Sequence, residues 1–347
     1  YDLSASMDLA KLLPQGANVS IPMYYSVSEA IVRPEFNPLD PDVRLEDFYR
    51  SEELTNDFKD SIRKITDDYT RRRSINFTNV RKIPGPNKKN KHFYDVENFA
   101  FTYAYTETFR RDINTEKDLS KNYKGQVNYS FSGKKKPIAP LKDVNFFKKR
   151  EYLRIIQDIN FNFVPSQISI LNSFNRTYQE RQARTITGEF IFPSPAYYQK
   201  TFNWTRTYSV RHSFTEALNF NFNATNQALI GEPPGRVDKR DDGYDTLRQQ
   251  IIDNILRFGD NTQYSHNFDL NYNLPLAKLP GLDFITANAR YSGTYSWDIV
   301  GNPDDSISLG ATIRNSSTRN ITGSLQMEVL YNKFQYIKDL KNPRIDN

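Results

Sequence analysis

Cysteine is absent from this 347-residue chain, which excludes disulfide scaffolds, thiolate zinc sites and cysteine nucleophiles and leaves the redox compartment open. Histidine is nearly as scarce. His92, His212 and His266 are the three, none has a second histidine at i+3 or i+4 or a carboxylate at a recognised ligand spacing, and no metal site is expected. No run of eighteen or more apolar residues occurs, 25% of residues are charged and mean hydropathy is −0.72, so a membrane-spanning helix is excluded. A membrane barrel is not excluded, because a barrel strand shows lipid only every second residue. The chain also lacks G-x-S-x-G, a P-loop, and a G-x-G-x-x-G opening a helix. No enzyme, catalytic residue or cofactor is therefore expected. An outer-membrane hydrolase stays as a minor alternative through isolated carboxylates such as Glu107 and Glu328, which could face a lumen.

What is abundant points elsewhere. Aromatics make up 14% of the chain, 24 Phe and 22 Tyr against 2 Trp, more flat apolar surface than a soluble core of this size requires. The net charge of +6 and pI near 9.1 suit an anionic partner, either nucleic acid or a lipopolysaccharide surface. Basic runs at 71–73, 88–91, 134–136 and 148–150 are placed in turns and strand ends, away from the mid-strand aromatics. Loop charge touching lipid headgroups or surface polysaccharide accounts for them better than a nucleic-acid groove, and no nucleic acid is expected.

The aromatics follow a period of two. Over 285–297, Ile285, Ala287, Ala289, Tyr291, Gly293, Tyr295 and Trp297 fall on one face against Thr286, Asn288, Arg290, Ser292, Thr294 and Ser296. At about 3.3 Å per residue and a tilt near 45°, such a strand rises roughly 30 Å, the thickness of a bilayer core. Phe99, Phe101, Tyr103 and Tyr105 repeat the pattern, as do Leu218, Phe220, Phe222 and Ala224 against Asn219, Asn221 and Asn223. Further examples are Phe268, Leu270, Tyr272 and Leu274 against Asn271 and Asn273, and Ile321, Leu325, Met327 and Val329 against Thr322, Ser324 and Glu328. Weaker strands are expected near 3–9, 19–28, 73–81, 123–132, 158–164, 167–178, 199–209 and 306–314. Asn, Ser and Thr on the second face suit a wall lined by water. Asn-x-Ser/Thr triplets such as those starting at Asn76, Asn203, Asn223 and Asn320 belong to that wall rather than to glycosylation loops. The expected fold is all-β, an antiparallel transmembrane barrel wall with two short helical insertions. Phe99, Phe101, Tyr103, Tyr105, Phe220, Phe222, Leu270, Tyr272, Tyr291, Tyr295 and Trp297 should face lipid. Asn219, Asn221, Asn223, Asn271 and Asn273 should face the lumen.

The helical insertions are expected at about 44–70, with Leu54, Phe58, Ile62, Ile65 and Tyr69 at helical spacing behind acids at 52 and 53, and at 243–259, with Leu247, Ile251, Ile255 and Phe258 between Asp245 and Gly259. Pro- and Gly-punctuated charged loops lie at 33–42, 82–91, 134–140, 192–195 and 232–242. In the last, Glu232, Pro233, Pro234, Gly235 and Arg236 form a stiff, oppositely charged segment suited to a fixed contact. It and the helices should fold against the barrel mouth or a partner. The acids Asp238, Asp241, Asp242 and Asp245 resemble a calcium loop only superficially, since Arg240 stands at the second ligand position and no glutamate closes the loop. No composition shift marks a second domain, so 1–347 reads as one continuous meander. The chain opens at Tyr1 without a basic, apolar leader and is expected to be a piece of a longer polypeptide.

The runs at 21–43 (IPMYYSVSEAIVRPEFNPLDPDV), 71–82 (RRRSINFTNVRK), 159–184 (INFNFVPSQISILNSFNRTYQERQAR), 224–238 (ATNQALIGEPPGRVD) and 308–333 (SLGATIRNSSTRNITGSLQMEVLYNK) resemble the SprA (Sov) cell-surface family. The resemblance implies the outer-membrane translocon of the type IX secretion system of Bacteroidota, a giant single-chain barrel tied to gliding motility. It further implies secreted folded proteins as cargo, and a plug protein, the PorV shuttle barrel and a periplasmic prolyl isomerase as partners. A smaller porin or nutrient-uptake barrel and a surface adhesion or structural protein are the alternatives.

Overall fold

The computed structural model describes residues 1–38, 40–51, 54–85, 92–133, 137–142, 160–187, 190–237, 239, 242–299 and 310–334. The chain runs through β1 (Asp2–Asp8), β2 (Val19–Ser20), β3 (Pro22–Val32), a small hairpin of β4 (Phe36–Asn37) and β5 (Asp40–Arg44), and helices α1 (Leu45–Arg50) and α2 (Asn56–Thr66). It continues through β6 (Asp68–Lys82), β7 (Phe99–Arg111), β8 (Thr115–Ser132), β9 (Gln167–Thr187), β10 (Phe190–Pro193), β11 (Tyr197–Ser213) and β12 (Leu218–Leu229). Helix α3 (Tyr244–Leu256), β13 (Asp260–Leu274), β14 (Ile285–Ile299), β15 (Ala311–Leu325) and α4 (Met327–Tyr331) complete it.

Eleven strands form one path, β1-β3-β6-β7-β8-β9-β11-β12-β13-β14-β15, with β2 added to β6 and β10 to β9. Every pairing is antiparallel, and neighbours along the path follow one another along the chain apart from the short side strands. Strands of 18, 21 and 17 residues (β8, β9, β11) are about three times the length usual in globular sheets. Period-two patterning with β-branched and aromatic residues favours such strands, and tight turns at 112–114 and 214–217 lock two of the registers. The path ends at β1 on one side and β15 on the other without these two pairing, so among the described residues the sheet is open.

Several expectations need correction. The strand expected through Val329 stops at Leu325, and Met327–Tyr331 is helical. Leu325 and Val329 stand four apart, a spacing that a strand and a helix both satisfy. The first insertion is two helices rather than one. Its second begins after Thr55 with Asp57 in the first turn and ends at Thr66. Tyr69 already belongs to β6, and residues 52 and 53 lie outside the described residues. The basic run 71–73 is not in a turn but inside β6, while 88–91, 134–136 and 148–150 lie outside the described residues. Residues 158 and 159 lie outside the described residues, and over 160–164 an isolated bridge between Phe161 and Ile138 replaces the expected strand. Residues 306–309 are not described, and β15 starts at Ala311. Of the acids compared with a calcium loop, 238 and 241 are likewise not described.

Burial is sparse. Among the described residues, eight apolar side chains are buried, Leu45, Leu119, Phe131, Phe202, Trp204, Ala224, Ala228 and Ile230, far fewer than a soluble chain of this length needs to offset its ordering entropy. Large aromatics stand open on the sheet instead, such as Phe101 at 48% and Tyr103 at 43% exposure.

Candidate functional site

Directly paired residues of an antiparallel sheet share a face, so the registers sort the side chains of the whole sheet. Tyr105 pairs with Tyr123, Tyr123 with Arg176 and Arg176 with Phe202. Val210 of β11 pairs with Phe222, Phe222 with Phe268 and Phe268 with Gly293. Traced this way, Phe99, Phe101, Tyr103, Tyr105, Phe220, Phe222, Leu270, Tyr272, Tyr291, Tyr295 and Trp297 all lie on one face, here face A. Asn219, Asn221, Asn223, Asn271 and Asn273 lie on the other, face B. Asn76, Asn203, Asn223 and Asn320 sit in β6, β11, β12 and β15, so these triplets are strand rather than loop.

Face B is a ladder of neutral polar groups that satisfy one another. Asn288 Nδ2 donates to Asn271 Oδ1 at 2.7 Å and to Asn273 Oδ1 at 2.6 Å. Ser213 Oγ donates to Asn219 Oδ1 at 2.7 Å, Ser209 Oγ to Asn223 Oδ1 at 2.9 Å, and Thr177 Oγ1 to Asn122 Oδ1 at 3.1 Å. Charges on this face include the pairs Arg290–Asp269 at 2.5 Å and Arg314–Asp298 at 3.2 Å.

The apolar stretch of face A runs obliquely to the hydrogen-bonded rungs. Phe101 sits mid-stretch on β7, and its rung passes through Val127, Asn172, Arg206 and Asn226 to Tyr264 and Trp297. On β13, however, the stretch is centred near Phe268 and Leu270, so its midpoint shifts by about five residues over five strand steps. With about 3.4 Å per residue and 4.8 Å between strands, the apolar band slopes at roughly 35° to the rungs.

Face A changes character at the Tyr105–Tyr123 rung. The next rung is Arg73, Glu107, Lys121, Tyr178 and Lys200. Glu107, expected as a lumen candidate, is on face A. It accepts from Tyr105 Oη at 2.7 Å and Arg71 Nη2 at 3.3 Å. Glu180 accepts from Lys117 Nζ at 2.7 Å and Tyr178 Oη at 2.9 Å.

The described residues of the 230–259 insertion fold onto this same face. Ile230 N–H donates to Phe202 O at 2.8 Å, and Ile230 with Phe202 and Trp204 forms a small core covered by Ile251 and Ile255 of α3. Burial of these side chains, rather than propensity, holds α3. Glu232 receives Arg176 Nε at 2.5 Å and Nη2 at 2.7 Å, and Lys200 Nζ donates to Pro233 O at 2.8 Å, which ties the start of this segment to β9 and β11. Phe258 holds a φ of 66°, strained for a bulky residue, and its ring stacks on Trp204 at 5.5 Å. Arg206 lies 4.7 Å from the Trp204 ring centroid and donates to Asn226 and Asn261.

Patterning did not signal Arg184, whose side chain is 3% exposed. Its guanidinium meets Glu116 at 2.6 Å, Asp112 O at 2.7 Å, and Ile65 O and Lys64 O at 3.2 and 3.4 Å. It thus supplies a cation to the C-terminal carbonyls of α2. His92 Nδ1 lies 3.8 Å from Asp95 Oδ1, but no group of three potential metal ligands occurs among the described residues.

No curated protein matches the chain. Residues 1–48, from β1 to the start of α1, match the family model SprA_N, a motility related/secretion protein, and this N-terminal segment is SprA-like.

Proposed function

We propose that the chain forms part of the wall of an outer-membrane barrel through which proteins are secreted, with face A to lipid and face B to the aqueous passage. The observation that carries this is the slope of the apolar band. Strands of transmembrane barrels tilt by about 35–45°, and a lipid-facing band then crosses the rungs at that angle. A soluble sheet packed on one layer has no reason to displace its apolar stretch along the strands in this way. The thin core and the exposed aromatics fit the same reading, since lipid supplies the missing layer. The role in protein secretion rests on the SprA-like N-terminal segment and on the family resemblance, which also supplies secreted folded proteins, a plug protein, the PorV shuttle barrel and a periplasmic prolyl isomerase as proposed partners, while lipopolysaccharide is proposed from the net charge of +6. The open sheet favours a section of a larger barrel over a small closed porin.

The absence of cysteine makes the test clean. Single cysteines at Phe101, Tyr103, Leu270 and Tyr291, and at Asn221, Asn223, Asn271 and Asn273, are introduced in the membrane-embedded protein. A membrane-impermeant thiol reagent should label the asparagine set and spare the aromatic set. Equal labelling of both sets would remove the barrel reading.

A further inference from the structure

Resting on the placement of face A in lipid, we propose that the cavity formed by Lys117, Lys121, Arg176, Tyr178, Lys200 and Arg236 binds the phosphate of a membrane-lipid headgroup. The cavity has a volume of about 120 Å³. It opens on the side of the sheet that carries the aromatic band, one rung beyond Tyr105 and Tyr123, which is the level of lipid phosphates when the band fills the hydrocarbon layer.

Its charge is unbalanced in favour of an anion. Five cations line it with one carboxylate, Glu180, and Glu107 and Glu232 nearby raise the carboxylates to three. All three are engaged: Glu107 by Tyr105 and Arg71, Glu180 by Lys117 and Tyr178, and Glu232 by both nitrogens of Arg176. Lys121 is left 3.9 Å from Glu107, and Lys200 donates to a neutral carbonyl. These two lysines are the register neighbours of Tyr178 on either side, so their ammonium groups bracket one spot. The loop is pinned over that spot by the Arg176–Glu232 pair, so the cavity is formed before a ligand arrives. Ammonium groups act as point charges toward phosphate oxygens, and a cation near a charged membrane surface adds to lipid affinity.

The test uses the full-length protein that contains this chain, purified in detergent, with native mass spectrometry as readout. Diphosphorylated lipid A and phosphatidylglycerol are the probes, and inorganic phosphate is the competitor. The wild type should retain one of the two lipids through this site, lipid A placing this end of the sheet in the outer leaflet and phosphatidylglycerol in the inner. The double variant K121Q/K200Q should weaken retention by roughly tenfold or more, and K121R/K200R should restore it. Heat-modifiable migration on gels checks that both variants fold, and the arginine variant supplies the comparison should the glutamine variant not fold. Unchanged retention in a folded K121Q/K200Q protein overturns the proposal. So does displacement by inorganic phosphate at the concentration of the lipid, which would make the site one for the free ion. Protected face A cysteines with unchanged lipid retention refute this inference alone, whereas labelled face A cysteines refute the barrel reading beneath it.

Discussion

Single side chains settle how the insertions attach to the sheet. Arg184 donates to two carbonyls at the end of α2, to Asp112 O and to Glu116, so removing it leaves carbonyls and half a salt bridge without a donor. Since Glu116 is 45% exposed and can rehydrate, Arg184→Ala should cost about 2 kcal/mol, well under the loss expected for a fully buried pair. The effect should be local: hydrogen exchange across 56–66 should speed up while the centres of β8 and β9 keep their protection. Uniform loss of protection would show that Arg184 supports the sheet rather than the helix. Phe258 illustrates the opposite bargain, with strain of about 1–2 kcal/mol in its left-handed backbone set against stacking on Trp204.

At the scale of strands, a rung is not a depth. Phe101 and Tyr264 share a rung, yet the slanted band puts Phe101 mid-stretch and Tyr264 at the edge. Phe101→Arg and Phe268→Arg should each cost about 2–4 kcal/mol, and Tyr264→Arg only about 0–1 kcal/mol. Urea titration of protein folded into lipid vesicles measures the three, and equal costs along the rung would remove the slant. The strands themselves were legible because alternation over a dozen residues has no helical counterpart. Met327 and Val329 were misplaced because a short apolar spacing fits both periods. Face assignment was legible within each strand, but the slope was not, since it exists only in the register between strands. Arg184, the lysine-lined cavity and the docking of α3 on face A were also beyond periodicity, because each depends on residues 20 to 120 positions apart.

For the molecule as a whole, the two open edges are the dominant liability. β15 is exposed almost throughout, with Ile313 at 61% and Ile321 at 79%, and its outer backbone groups form a template for another strand. Residues 1–347 produced alone in detergent should therefore self-associate. Ile313→Lys with Ile321→Lys should shift the population toward monomer, as light scattering coupled to size exclusion would read. A monodisperse monomer before any substitution would mean that the edges are masked in another way.

The neutral ladder on face B has a consequence for traffic. Asn288 gives its amide donors to the oxygens of Asn271 and Asn273, and Arg290 is neutralised by Asp269. A ladder of this kind offers a passing surface few unpaired groups on which to stick. If face B lines the proposed passage, cargo would meet little friction along this ladder, while Lys124 and Arg211, which the registers also place on face B, keep positive charge on other parts of the wall.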